Sequence, residues 1–353
     1  MEPRLNVALA GFGAAGQRFH APFLTADRRF RLCKILTTRK LARERYPDAQ
    51  TVSRFEELLT PEIDLVILAT PNALHVPQAQ QAVLAGKHVL VEKPIAATAD
   101  EARALFTLAK ERGVVLTVHQ NRRFDGGFRT VQQLIERGDL GEVLDYAAHF
   151  DRYVTGKSPK PWKAAGGAGV NILYDIGIHL IDQAYVLFGM PQAVYADVRK
   201  HRTESPEFDA FSVNLYYGER KAVLSAGEVV AMPGPHFAVH GHRGSFLKFG
   251  LDPQEAALAA GQKPSSPHWG EDTPDRFGTL ARVTETGIVT ETVPTVPGNY
   301  ALFFDAFYRA VTENAPPPVQ EQEAVDVLTL VEAALESAKT EKRVDLTDSM
   351  GNF

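Results

Sequence analysis

The chain has 353 residues, a length beyond that at which one hydrophobic core usually stops growing, and this predicts about two domains. With 44% hydrophobic and 23% charged residues, the composition is that of an ordinary globular protein and excludes a disordered chain. The net charge of −5 provides no basic excess, so we expect no nucleic-acid partner. The single cysteine, Cys33, excludes an internal disulfide and a cysteine-rich zinc site.

The N-terminal segment carries no recognisable targeting signal. Its apolar stretch, Leu5 to Ala10, is too short for a signal-peptide core or a membrane span and has the length of a buried strand. We therefore expect no membrane association and a cytoplasmic protein.

The first 120 residues alternate between short apolar runs and longer mixed segments, which is typical of a parallel α/β sheet. Several runs are continuously apolar, as strands buried on both faces are. Thr98 is a candidate N-cap and Gly113 a candidate C-terminal stop for one of the helices. The predicted strands are 6–10, 32–36, 63–69, 88–91 and 114–118, and the predicted helices are 73–85 and 100–112.

After about residue 122 the pattern changes to strands without intervening helices, which indicates an α+β domain with a mostly antiparallel sheet. We therefore predict domains over residues 1–122 and 123–353, with the C-terminal helix as a candidate to pack back on the first domain. The predicted strands are 143–153, 193–199, 210–217, 221–227 and 237–240, and the predicted helices are 178–188, 300–312 and 322–339.

A glycine-rich segment directly follows the first predicted strand and matches the dinucleotide-binding fingerprint of a Rossmann domain. Its glycines permit a tight turn and a close approach of a pyrophosphate to the backbone, and the helix that follows offers unpaired N–H groups to the phosphate. The alternative is a glycine turn with a purely structural role. The residues assigned to cofactor binding here are Gly11, Phe12, Gly13, Ala15 and Gly16.

The end of the second predicted strand bears on the choice between NAD and NADP. An NAD site usually has an acidic residue here to accept from the ribose 2′-hydroxyl, whereas this chain has Thr38, Arg39 and Lys40. Hydroxyl groups and cations suit a 2′-phosphate, and the guanidinium of Arg39 offers forked donors to it. We therefore favour NADP, with ordinary solvated loop charges as the alternative.

A lysine follows the predicted strand 88–91, within Glu92-Lys93-Pro94. In an open α/β sheet, ligands bind beyond the carboxyl ends of the strands, so Lys93 is placed to face a cofactor and a substrate. Pro94 constrains Lys93 to an extended backbone, and a cis peptide bond is one option there. The alternative is a surface lysine before a turn.

Asp175 and His179 open the predicted helix of the second domain. Four residues apart, they share one face if the turn is helical. A histidine near neutral pKa can accept an alcohol proton, and a nearby carboxylate can orient the ring and stabilise its cationic form. The alternatives are a core histidine with satisfied hydrogen bonds and an aspartate that caps the helix.

Taken together, Gly11-Phe12-Gly13, Glu92-Lys93-Pro94 and Asp175-Ile176-Gly177-Ile178-His179 resemble the glucose–fructose oxidoreductase/inositol dehydrogenase/rhizopine catabolism (Gfo/Idh/MocA) family. The resemblance covers nearly the whole chain. It is strongest to the branch of the NADP-dependent scyllo-inositol 2-dehydrogenases, through residues 119–125, 149–153, 250–255 and 296–300.

The resemblance implies an N-terminal Rossmann domain and a C-terminal substrate-binding domain, whose open sheet forms a homodimer or homotetramer. It implies that Lys93 contacts the substrate and the nicotinamide ribose, that Asp175 positions the substrate, and that His179 transfers the proton. It also adds site residues. To the cofactor site we assign Thr70, Pro71, Asn72, His75, Glu92 and Lys93; to the substrate site, Asn121, Arg122, Tyr153, Trp162, Asp175 and His179. A turn or capping role is the alternative for Asn72.

The chain departs from the branch after residue 153. Relatives carry an Arg-Trp-Arg-like stretch where this chain has Lys160-Pro161-Trp162-Lys163. Trp162 can still offer an apolar face to a sugar ring, but the altered cations weaken the assignment of inositol itself as the substrate. An exposed loop anchor is the alternative role for Trp162.

The sequence therefore predicts an NADP-preferring oxidoreductase that acts on a secondary alcohol of a cyclic polyol or sugar, such as scyllo-inositol, or on the matching ketone. The alternatives are a cofactor-assisted glycosidase and a non-catalytic NAD(P)-binding sensor. No histidine or carboxylate grouping shows metal-ligand spacing, so we expect no metal site.

Overall fold

The computed structural model of the chain describes residues 2–154, 156 and 169–347. Its strands are β1 (Leu5–Ala10), β2 (Phe30–Leu36), β3 (Gln50–Val52), β4 (Leu65–Leu68), β5 (His88–Glu92), β6 (Leu116–His119), β7 (Val143–His149), β8 (Ala193–Arg199), β9 (Ala210–Tyr217), β10 (Arg220–Gly227), β11 (Phe237–Gly241), β12 (Gly244–Lys248), β13 (Gly278–Thr284), β14 (Gly287–Val293) and β15 (Val344–Asp345). Its α-helices are α1 (Ala21–Ala26), α2 (Lys40–Arg45), α3 (His75–Leu84), α4 (Ala99–Glu111), α5 (Gly126–Glu136), α6 (Ile178–Phe188), α7 (Gln254–Ala259), α8 (Ala301–Glu313) and α9 (Glu321–Thr340).

The first compact unit comprises the chain up to Asn121 together with Gln254–Trp269 and Tyr300–Val325. Its six-stranded sheet has the order β3-β2-β1-β4-β5-β6, and all neighbouring strands are parallel. Every residue of β4 is buried, as expected for a strand covered on both faces. The predicted parallel α/β sheet is confirmed.

Helix α4 shows how local sequence defines an element of this unit. The Thr98 hydroxyl accepts from the Glu101 N–H, and the Glu101 carboxylate accepts from the Thr98 N–H. This reciprocal pair satisfies two N–H groups at the start of the helix. Gly113, just beyond the helix, has φ +64°, a backbone conformation that glycine adopts readily.

Helix α8 also belongs to the first unit, although it lies late in the sequence. It buries Phe303, Phe304 and Phe307. The ring of Phe304 stacks on Phe23 of α1, with centroids 5.3 Å apart. Aromatic burial of this kind contributes strongly to a core, so the core of this unit depends on residues distant in sequence.

The second unit comprises Arg122–Pro253, Gly270–Asn299 and the chain from Asp326 onward. Its nine-stranded sheet has the order β14-β13-β12-β11-β7-β10-β9-β8-β15. All pairs are antiparallel except β7 with β10. The predicted mostly antiparallel sheet is confirmed.

Several elements of this unit differ from the sequence prediction. Helix α5 is absent from the sequence prediction. Gly126 and Gly127 at its start disfavour helix, yet Phe128, Val131 and Leu134 are buried on its inner face. The predicted strand 143–153 ends at His149. Beyond it the backbone pairs irregularly, with one isolated bridge from Tyr153 to Val229. Strands β12 to β15 were also missed, and β14 is almost wholly exposed, so it lacks the apolar run that marks a buried strand.

The described part of the chain has no helix that is both long and apolar enough to cross a membrane.

His236 makes the stability of the second unit depend on pH. Its Nδ1 lies 2.6 Å from the His149 carbonyl oxygen, and burial is the main cause that lowers its pKa from 6.5 to about 4. Below the unfolded pKa the unfolded chain takes up a proton that the folded protein does not. The contribution of His236 to the free energy of unfolding is therefore present above the unfolded pKa and is lost as the pH falls toward the folded pKa.

We expect wild-type protein to lose about 2 kcal/mol of unfolding free energy from this group between about pH 7.5 and about pH 5. Denaturant unfolding at both pH values measures the loss. His236→Asn is the matched control, because its amide keeps a donor near the Nδ1 position and cannot titrate. An equal pH dependence in both proteins would contradict the assignment.

Candidate active site

The glycine loop after β1 is built on a close backbone approach. Gly11 has φ +98°, and a Cβ atom there would lie 2.4 Å from the Ala69 carbonyl oxygen. A Cβ atom at Gly16 would lie 2.2 Å from the Gly11 carbonyl oxygen. Both glycines therefore serve the packing of the loop against β4 and of the following helix against the loop.

Gly13 differs from these two glycines, since a Cβ atom there would meet nothing within 4 Å. Open space thus lies over the loop at the carboxyl end of β1, where a pyrophosphate binds in dinucleotide-binding folds. The loop itself is fixed: Phe12 packs edge-on against Tyr46, and Gln17 Nε2 donates to the Phe12 carbonyl. The site therefore fits the phosphates of an NAD(P) cofactor.

The helix after the loop is not regular. The chain turns helical at Ala14, widens into a π-turn over Gly16–His20 and continues as α1. Such turns are rare and occur frequently at functional sites. The wide turn brings His20 into the buried interior, where its side chain is fully covered.

The end of β2 carries the residues assigned to the 2′-phosphate. Thr38, Arg39 and Lys40 are exposed, and the Arg39 N–H donates to the Thr37 hydroxyl. Among the described residues, neither Arg39 nor Lys40 takes part in an ion pair. Two unpaired cations at the end of this strand fit an anionic ligand group.

The end of β4 is held by hydrogen bonds within the first unit. The Thr70 hydroxyl donates to Gln78 Oε1 at 2.7 Å. His75 is fully buried, with Nε2 2.9 Å from the Thr70 carbonyl oxygen and Nδ1 2.7 Å from that of Pro94. Burial is the main cause that lowers the pKa of His75. Pro71 is exposed, and Asn72 begins a 3₁₀ turn.

The end of β5 joins a buried carboxylate to the candidate catalytic lysine. Glu92 Oε1 lies 2.7 Å from His20 Nε2 and 3.0 Å from His119 Nδ1. Burial by itself raises the pKa of Glu92, but His119 and His20 outweigh it and hold that pKa well below its usual range. Glu92 is therefore ionised. Lys93 follows it, half-buried, with a cis peptide bond to Pro94.

The other two candidate catalytic residues lie in the second unit. Asn171 Oδ1 accepts from the backbone N–H groups of Leu173 and Tyr174 and so satisfies two donors at the start of this helical segment. Asp175 lies inside a π-turn, Leu173–Gly177, which replaces the regular helical turn expected between it and His179. His179, in the first turn of α6, is 5% exposed.

Around α6, the second unit also places Arg122. Gln183 Nε2, one turn beyond His179, donates to the Arg122 carbonyl. The Arg122 guanidinium lies 4.6 Å from the centre of the Phe150 ring and 3.4 Å from Asp125. Tyr153 is 65% exposed.

The remaining substrate-site assignments fall elsewhere. Asn121 is buried in the first unit. Trp162, together with Lys160 and Lys163, lies outside the described residues.

The structure thus places the residues assigned to the cofactor, with Lys93, at the carboxyl ends of the first unit's strands, and Asp175, His179 and Arg122 in the second unit. Sequence reasoning missed His20 and His119. They lie 72 and 27 residues from Glu92, and no local motif records such distant contacts. The expectation of no metal site rested on the spacing of histidines and carboxylates along the sequence. The structure nonetheless brings the side chains of His20, Glu92 and His119 together.

A Rossmann unit with a glycine-loop cradle, followed by a unit with a mostly antiparallel nine-stranded sheet, is typical of a class of nucleotide-dependent oxidoreductases. Comparison with known proteins agrees: "Oxidoreductase family, NAD-binding Rossmann fold" matches residues 5–120, and "Oxidoreductase family, C-terminal alpha/beta domain" matches residues 132–346. The chain belongs to the Gfo/Idh/MocA oxidoreductase family.

Three relatives illustrate the similarity. Scyllo-inositol 2-dehydrogenase (NADP(+)) IolW of Bacillus subtilis is 38% identical over 97% of this chain and 96% of its own. The uncharacterised oxidoreductase YdgJ of Escherichia coli is 38% identical over 96% of this chain and 98% of its own. The solved structure of yvaA from Bacillus subtilis has a TM-score of 0.95 at 38% identity, covering 98% of this chain and 99% of that one.

The glycine loop yields a test of the cofactor site that separates binding from folding. Gly13→Ala places a methyl group in the open space over the loop, so we expect at least about a tenfold loss of NAD(P) affinity with a thermal midpoint near that of wild type. Gly16→Ala is the contrasting variant, since its methyl meets the Gly11 carbonyl and costs roughly 1–3 kcal/mol of stability.

Nucleotide titration by fluorescence and thermal unfolding measure the two effects. Wild-type affinity in Gly13→Ala would mean that the open space over the loop does not hold the cofactor.

Proposed function

We propose that this protein is an NADP-preferring dehydrogenase that transfers a hydride between nicotinamide and a secondary alcohol or ketone of a cyclic polyol or sugar. The observation that carries the proposal is the open cradle over Gly13 with the cations Arg39 and Lys40, which form no ion pair with any described residue, at the end of the neighbouring strand. Similarity to a relative named scyllo-inositol 2-dehydrogenase (NADP(+)) makes scyllo-inositol the first substrate to test.

In the proposed mechanism, a nicotinamide cofactor held at the glycine loop would supply the hydride acceptor or donor. His179 receives the proton of the reacting hydroxyl at an imidazole nitrogen. Lys93 donates a hydrogen bond to the reacting oxygen and stabilises the negative charge that develops on it. Asp175 accepts from a substrate hydroxyl and stabilises the cationic imidazole.

The other assignments keep their proposed roles. Arg122, Tyr153 and Trp162 are proposed to contact the substrate, together with Asn121. The homodimer or homotetramer through the sheet of the second unit and the cytoplasmic location stay predictions.

Arg39 tests the choice of cofactor. Removing its guanidinium in Arg39→Ala takes away a charge-assisted hydrogen bond to the 2′-phosphate, so we expect KM for NADP to rise by about tenfold or more. KM for NAD should not change, because NAD has no 2′-phosphate. Steady-state kinetics with both cofactors measure the two values.

Arg45→Ala is the matched control, because Arg45 is an exposed arginine at the other end of α2. It should leave both KM values at the wild-type level. A strong preference of the wild-type protein for NAD would overturn the roles of Thr38, Arg39 and Lys40.

His179 tests the chemistry. In a screen of cyclic polyols and sugars with NADP and NAD in parallel, we expect His179→Ala to lower kcat by about 10²- to 10⁴-fold, the usual contribution of a general base. Exposed His242 is the control, and His242→Ala should leave the rate unchanged. Formation of reduced nicotinamide, followed by absorbance, measures turnover.

Three results would contradict the proposal. Nearly full turnover by a folded His179→Ala variant would remove the proton-transfer role. Release of an aglycone without net cofactor reduction would indicate a glycosidase. Tight NADP binding without turnover of any polyol or sugar would indicate a sensor.

A further inference from the structure

Three buried histidines surround the turn that carries Lys93. His20 and His75 are fully buried, and His119 is 1% exposed. Two of them contact the residue before Lys93, and the third contacts the residue after it. All of these residues belong to the first unit.

On one side of Lys93, a single carboxylate oxygen accepts two hydrogen bonds. Glu92 Oε1 lies 2.7 Å from His20 Nε2 and 3.0 Å from His119 Nδ1, and an ionised carboxylate can only accept. Each ring must therefore carry a hydrogen on the nitrogen that faces Glu92. The contact requires N–H at Nε2 of His20 and at Nδ1 of His119.

The other ring nitrogens show that this arrangement costs stability. Among the described residues, His20 Nδ1 and His119 Nε2 have no hydrogen-bond partner. The two rings lie 4.5 Å apart, and Phe303 packs edge-on against His119. Buried polar atoms are usually paired, so two exceptions beside one carboxylate indicate a role other than stability.

On the other side of Lys93, His75 Nδ1 lies 2.7 Å from the Pro94 carbonyl oxygen and His75 Nε2 lies 2.9 Å from the Thr70 carbonyl oxygen at the end of β4. A neutral ring carries one N–H, which it donates to one of these two carbonyls. The residues before and after Lys93 are thus both anchored to buried side chains. The backbone from which the lysine leaves β5 has little freedom to shift.

We propose that His20 and His119 are positioning residues, which clamp Glu92 and thereby fix the backbone at Lys93. The inference rests on the proposed function, in which Lys93 acts on the reacting oxygen. Positioning of this kind is valuable because small displacements of a catalytic group cost large factors in rate.

The side chains of His20, Glu92 and His119 could also serve as metal ligands. Their ligand atoms lie within 4.8 Å of one another, and two histidines with a glutamate hold zinc in some proteins. The separations of 2.7 and 3.0 Å are those of hydrogen bonds. The geometry therefore favours direct N–H donation, and metal content is one of the outcomes to be measured.

Amide substitutions test the clamp, because the amide nitrogen of Asn lies near the Nδ1 position of histidine and that of Gln near the Nε2 position. His119→Asn and His20→Gln keep the required donor and should stay within about threefold of the wild-type kcat. His119→Gln and His20→Asn place the same amide at the wrong length. We expect them to lower kcat by about tenfold or more, with KM for NADP unchanged.

A second readout needs no turnover. Reductive methylation of Lys93, quantified by mass spectrometry against exposed Lys342, reports the surroundings of the lysine. The methylation rate should change by about threefold or more in the wrong-length pair and stay near the wild-type value in the matched pair. The methylation rate tests the clamp separately from the proposed dehydrogenase function, because it can be measured even if the protein turns over no polyol or sugar.

Two outcomes would overturn the clamp. One is equal behaviour of all four amide variants in the methylation rates. The other is a stoichiometric divalent metal in purified wild-type protein that is lost in His119→Asn, since a metal ion and not N–H donation would then hold the three side chains together.

Discussion

The close backbone contact between Gly11 and Ala69 is the constraint on which the first unit depends. It holds the end of β1 against the end of β4, where the Ala69 N–H also donates to the Ala10 carbonyl. The Gly11 N–H donates to the Leu36 carbonyl, so the end of β2 is fixed to the same edge of the sheet. The segments that follow these strands therefore begin at one edge of the sheet. A side chain at Gly11 would clash with the Ala69 carbonyl and force the end of β1 away from the end of β4.

A second constraint is electrostatic. Glu92 brings a charge into the interior at the end of β5, and burying an unpaired charge is costly. Two histidines offset this cost by donating to the same oxygen, yet each leaves its second ring nitrogen without a partner. Unsatisfied buried polar atoms of this kind oppose stability, and natural proteins retain such costs most often where a geometry is needed for function.

Much of the fold is predictable because local sequence is decisive in many of its elements. Strands β8 and β9 have the bounds that their apolar patterns predict, and Thr98 caps α4 as its sequence indicates. Helix α5 was missed for a physical reason: its Gly126-Gly127 start opposes helix formation, and burial of Phe128 against the second unit's core overrides that propensity. Local propensity therefore fails where non-local packing decides.

The candidate site shows the same division between local and non-local information. The glycine loop and the Lys93 turn are contiguous motifs, so both can be recognised from residue order. The partners of Glu92 cannot be deduced in this way, because His20 arrives through a π-turn and His119 at the end of another strand. A histidine with no motif around it is more often a core residue than a functional one. What distinguishes His20 and His119 is that both contact the same buried carboxylate oxygen of Glu92. Residues such as His20 and His119, which reach Glu92 only through the tertiary structure, are thus harder to find in a sequence than the contiguous motif that they contact.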